Sequence, residues 1–171
     1  LCSNAATLAQ RLEAHPMIER VNHISLKSHE DYEVAKRVMP KGTGMIGFVV
    51  KGGDEAALKF MRGLTMIFEA TSLGGVESLV ECPFNSSHMM IPEDVRHAAG
   101  LVPGFVRMSI GIEAVEDLWA SLQLAFANVR DCCAPVWKPQ PSLRSLCSSV
   151  QCAFLRRLHT SFAAHPLPSM T

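Results

Sequence analysis

Phe105-Val106-Arg107-Met108-Ser109-Ile110-Gly111-Ile112 is the stretch on which the fold turns. Side chains of a strand alternate between its two faces. The pattern predicts a strand with Val106, Met108, Ile110 and Ile112 turned to a core. Arg107 then lies on the opposite face, beside the small Ser109 and Gly111. A guanidinium flanked by small residues has room to meet a carboxylate through two parallel N–H donors. An ordinary surface ion pair, worth about 0–1 kcal/mol, accounts for the same residue. From the strand alone both readings stand.

The segments around it supply the other layers. Residues 4–14 place Ala5, Leu8, Ala9 and Leu12 at helical spacing, with Ser3 or Asn4 as N-cap. Residues 19–24 read as a short strand, 29–39 as a helix ended by Pro40 and Gly42, and 45–50 as a strand. A helix follows over 53–64, then a short extended piece at 66–69, then a helix over 92–99 with proline in its first turn. Residues 114–127 close the pattern as an amphipathic helix with Val115, Leu118, Leu122 and Phe126 on one stripe. Helices interleaved with short strands predict an α+β domain: a small mixed or antiparallel sheet with helices packed on one face.

Composition narrows the function classes. The 171 residues are 48% hydrophobic and 19% charged, ordinary for a globular chain of one domain. Sixteen basic and sixteen acidic residues give a formal net charge of zero, so nothing draws the chain to nucleic acid or an anionic membrane. No apolar run reaches the roughly 18–20 residues of a membrane span, and no signal peptide is visible, so a cytoplasmic protein is expected. Charge is uneven, however. Residues 128–171 carry five basic residues and one acidic one, with four of six cysteines and five of ten prolines. A boundary near residue 127 and a disordered tail beyond it are the expectation.

Three motifs invite a chemical reading. Gly42-Thr43-Gly44-Met45-Ile46-Gly47 matches G-x-G-x-x-G, but it follows a helix and opens a strand, the reverse of a dinucleotide site, so a turn is expected. The cysteines of 132–152 lack zinc-type pairing, and no metal site is expected. His88 and His97 have no visible partners and read as structural. Ser72-Leu73-Gly74-Gly75-Val76-Glu77-Ser78 permits a sharp turn with backbone N–H groups open to a ligand, or a plain connection between strands.

In their order these segments resemble the family of cystathionine γ-synthase, cystathionine β-lyase, cystathionine γ-lyase and methionine γ-lyase. The resemblance rests on Asn4-Ala5 with Leu8-Ala9, His15-Pro16, Leu26-x-Ser28-His29, Gly44-Met45, Phe48 and Lys51-Gly52-Gly53. It continues through Ser72 to Leu79, Ser87-His88, Pro92-Glu93, Gly100, Val106 to Glu113, and Glu116-Asp117-Leu118. His23-Ile24-Ser25 stands where the family has Tyr-Pro-Gly, and Ser87 where it has threonine.

The resemblance implies the smaller C-terminal domain of a fold-type I enzyme dependent on pyridoxal 5'-phosphate, over residues 1–127. It implies β- or γ-elimination, or γ-replacement, at a carbon–sulfur bond of cystathionine, cysteine or a related sulfur amino acid. Ser72, the Leu73 backbone and Arg107 would bind the substrate α-carboxylate, and Thr71 would be a selectivity position. A homotetramer is the family assembly. The Schiff-base lysine and phosphate contacts would lie upstream of Leu1, leaving no catalytic residue here and an inactive chain when alone. A non-catalytic module that associates with full-length subunits is the alternative.

Overall fold

The computed structural model describes residues 1–133. Its elements are α1 (Cys2–Glu13), β1 (Ile18–Asn22), α2 (Tyr32–Val38), β2 (Met45–Val50), α3 (Gly53–Arg62), β3 (Phe68–Glu69), β4 (Leu79–Glu81), α4 (Glu93–Ala98), β5 (Phe105–Ser109) and α5 (Val115–Cys133). The strands form one sheet in the order β1-β2-β5-β4-β3. All neighbours are antiparallel except β3 and β4, which run parallel. The α+β expectation is met, and β5 occupies the centre.

The core lies on one face of the sheet. Ile46, Phe48, Val50, Val80, Val106, Met108 and Ile110 meet Leu8 and Leu12 of α1, Phe60 of α3, and Leu118, Leu122 and Phe126 of α5. Burying an aliphatic or aromatic side chain of this kind contributes about 1.5–3 kcal/mol. Phe60 sits between Phe48 and Phe126, with ring centroids 5.7 and 4.5 Å away, and His15 stacks on Phe126 at 4.1 Å.

Several boundaries differ from the sequence reading, each for a physical reason. The helix expected to stop at 127 runs on to Cys133, because Val129 extends the stripe of Leu122, Ala125 and Phe126 and is itself buried. Residues 134–171, the remainder of the expected tail with Cys147 and Cys152, lie outside the described residues. Asn4 does not cap α1, which already begins at Cys2. Its side-chain amide instead donates to the Glu113 carbonyl at 2.8 Å and the Gly111 carbonyl at 3.3 Å, tying α1 to the end of β5. Regular pairing in β5 ends at Ser109, and Ile112, expected in the core, is 65% exposed. Gly42 takes φ of +72° in the turn before β2, the conformation glycine tolerates, which agrees with the turn reading of the G-x-G-x-x-G stretch.

His23 is buried in the loop after β1. Its Nδ1 accepts from the Ser25 amide at 3.2 Å and contacts the Ser25 hydroxyl at 2.7 Å, while Nε2 faces the Thr43 carbonyl at 3.1 Å. Burial pushes its pKa down, the Thr43 carbonyl opposes that, and the charge of His29 adds to the lowering. The unfolded chain therefore binds this proton more readily than the folded one. Its contribution to stability is complete above the ordinary histidine value of about 6.5 and shrinks as the pH falls toward the lowered folded value. The urea midpoint should thus fall on acidification from about pH 7 to about pH 5, and His23→Asn should flatten that slope. An equally steep profile in the variant would place the effect elsewhere.

Candidate functional site

The sheet face opposite the core is where the alternate residues of β5 and its continuation converge on one loop, residues 71–78. Arg107 donates from Nη2 to the Thr71 carbonyl at 2.8 Å. Two residues on, the Ser109 hydroxyl accepts from the Gly74 amide at 3.0 Å. Two further, the Gly111 amide donates to the Ser78 hydroxyl at 2.8 Å, and next to it the Ile112 amide donates to the Val76 carbonyl at 2.9 Å. Glu113 ends the series: one carboxylate oxygen accepts from the Ser78 amide at 2.6 Å, the other from the Ser78 hydroxyl at 2.9 Å. Charge-assisted bonds of this kind are roughly twice as strong as neutral ones.

Two glycines make the approach possible. Gly74 adopts φ of +79°, which reverses the chain at the tip of the loop. At Gly111 a Cβ would overlap the Val76 carbonyl oxygen and lie 2.7 Å from the Glu77 carbonyl carbon, so only glycine lets loop and strand touch there.

The residues expected to form a site come together in part. Thr71 and Arg107 meet directly. Ser72 and Leu73 follow Thr71 on an exposed turn. Leu73, Val76 and Ile112 are each more than half exposed and give the loop an apolar outer surface. His97 stays at the surface, 3.6 Å from Glu93, and His88 contacts the Ser87 hydroxyl at 2.8 Å. No cluster of three or more His, Cys, Asp or Glu side chains fit for a metal ion occurs among the described residues.

Glu81 is the residue that sequence reasoning missed. It faces Arg107 across the β4–β5 ladder and is 1% exposed. Its Oε1 lies 2.8 Å from Arg107 Nη2, and the hydroxyls of Ser86 and Ser87 donate to its two oxygens at 2.8 and 3.2 Å. A carboxylate amid Leu79, Val80 and Cys82 was the available signal, since a buried charge requires a partner.

Comparison with known proteins gives this geometry its family. Residues 2–127 match the Cys/Met metabolism PLP-dependent enzymes. The chain belongs to that family. It is 38% identical over 128 residues to an L-methionine gamma-lyase of Fusobacterium nucleatum, an alignment covering 75% of this chain and 32% of that protein. It is 41% identical over 124 residues to a cystathionine beta-lyase of Coxiella burnetii, covering 72% and 32%. The crystal structure of cystathionine gamma-lyase from Lactobacillus plantarum complexed with L-serine superimposes with a TM-score of 0.71 at 32% identity, over 75% of this chain and 34% of that one. The chain thus spans about a third of the length of the curated relatives it matches.

The family depends on pyridoxal 5'-phosphate. Lys27, Lys36, Lys41 and Lys51 are exposed, and Lys59 is half-exposed beside Glu55 at 2.6 Å. A lysine that bonds the cofactor needs a desolvated pocket to lose its proton near neutral pH. The described lysines do not fit that part, and no chemical step is assigned to them.

The close contact at Gly111 is directly testable. Gly111→Ala should destabilise the chain by about 1–3 kcal/mol in urea unfolding, because backbone rather than a flexible side chain must move. A loss within the roughly 0.5 kcal/mol of ordinary surface substitutions would show that the loop is not held against β5.

Proposed function

We propose that this chain supplies the substrate α-carboxylate clamp of a pyridoxal-phosphate-dependent carbon–sulfur lyase or transsulfuration enzyme. One observation carries the reading: Arg107 is fastened to the Thr71 carbonyl of the 71–78 loop through Nη2, with Glu81 against the same nitrogen. A guanidinium offers five donors. Both contacts of Arg107 use Nη2, and its Nε and Nη1 have no partner among the described residues. Arg107 would neutralise the incoming carboxylate, and the exposed hydroxyl and amide groups at Ser72 and Leu73 would complete its hydrogen bonds. Holding the carboxylate orients the amino acid so that its α and β carbons face the cofactor, whose ring stores the carbanion charge when bound. The relatives named as methionine and cystathionine lyases, and the L-serine complex among the similar structures, support an α-amino acid as the ligand. Within this reading the substrate is a sulfur amino acid, Thr71 is the position that tunes which one, and the assembly is the homotetramer of the family.

The test joins a cofactor domain of the family upstream of Leu1. Arg107→Ala should leave the visible absorbance of the bound cofactor unchanged. It should lower kcat/KM for cystathionine or methionine by about 30-fold or more, the loss expected when a buried carboxylate forfeits a charged partner. Arg107→Lys should recover part of the loss, since an ammonium lacks the planar fork. Ser72→Ala should cost about fivefold, the worth of one neutral hydrogen bond. A change below about threefold for Arg107→Ala would make Arg107 a structural ion-pair partner and nothing more.

A further inference from the structure

We propose that Glu81 is a positioning residue for Arg107, setting the orientation in which the guanidinium meets a carboxylate. The inference rests on the clamp reading and names the group that makes the clamp rigid. An arginine has four flexible side-chain torsions, and immobilising such a side chain at the moment of binding weakens the complex. Glu81 removes that penalty beforehand. The ladder places it directly opposite Arg107. Its own carboxylate is fixed at both oxygens by Ser86 and Ser87, and it is 1% exposed, whereas the Arg107 side chain is 27% exposed.

The partnership is mutual, because a buried carboxylate stranded without its cation is costly. Arg107 therefore cannot swing out to solvent without leaving Glu81 unpaired. The Thr71 carbonyl takes the second Nη2 contact, so one end of the guanidinium is pinned on two sides and Nε and Nη1 are left to the ligand.

The full 171-residue chain, labelled with 15N, tests this by NMR of the Arg107 side chain and titration with L-serine as probe. In the native chain the Arg107 N–H signals should show restricted rotation. Glu81→Asp keeps the charge but withdraws it by one methylene, and Glu81→Ala removes it. Both should free the Arg107 signals and weaken L-serine about threefold to tenfold, while the backbone amide spectrum stays that of the folded chain. If Glu81→Ala unfolds the chain, Glu81→Asp decides alone. Arg107 signals as restricted in Glu81→Asp as in the native chain would overturn the positioning role. An L-serine affinity unchanged by Arg107→Ala would instead remove the clamp, and with it the purpose assigned to Glu81, whatever the side-chain dynamics show.

Discussion

The pleat of β5 sets two jobs on one strand. Val106, Met108 and Ile110 are buried among α1, α3 and α5, and they fix the strand at the centre of the sheet. Because successive side chains alternate, that anchoring forces Arg107, Ser109 and, past the end of regular pairing, Gly111 and Glu113 toward the other side. There each bonds the 71–78 loop. The loop owes its place to the core beneath the strand, and the site owes its geometry to the loop.

Polar pairing on that face is closely accounted for. Glu113 holds Ser78 by both amide and hydroxyl, and the same hydroxyl accepts from Gly111, so one serine joins strand end to loop end. Asn4 reaches the carbonyls of Gly111 and Glu113 from α1, bringing the first helix into the same knot. Glu81 and Arg107 repeat the arrangement one strand pair away, with a buried carboxylate satisfied by two hydroxyls and a cation. Ser78 and Glu81, buried and bonded by several partners each, resist rearrangement, which suits a site that must present donors in fixed positions.

What could be read from sequence follows from range. The alternation of 105–110 and the helical stripes of 4–14 and 114–127 are local patterns, and they give the layers and the burial of the core correctly. That Arg107 and the 71–78 loop lie together was suggested only by the resemblance of the two segments to one family, and the Arg107 contact with the Thr71 carbonyl was not legible at all. Ile112 was misplaced because periodicity carries no mark of where strand pairing stops, and here the backbone of 111–112 turns to bond the loop instead. Asn4 looked like a cap because caps are local, while its actual partners are more than a hundred residues away. Glu81 was invisible as the partner of Arg107, since that relation exists only once the β4–β5 register is known. Helix α5 outran its expected end because a change in charge was read as a change in structure, although Val129 continued the apolar stripe.

The central claim is that the residues of β5 and its extension hold the 71–78 loop rigid through Glu113 and Ser78. Amide hydrogen exchange of the native chain against Glu113→Ala tests it most directly. The amides of Gly74, Ser78, Gly111 and Ile112 should be protected in the native chain and should exchange at least about tenfold faster in the variant, while those of Phe48, Val106 and Met108 keep their rates, as expected for a local opening. Loop amides that exchange freely in the native chain, or that are indifferent to Glu113→Ala, would contradict the account.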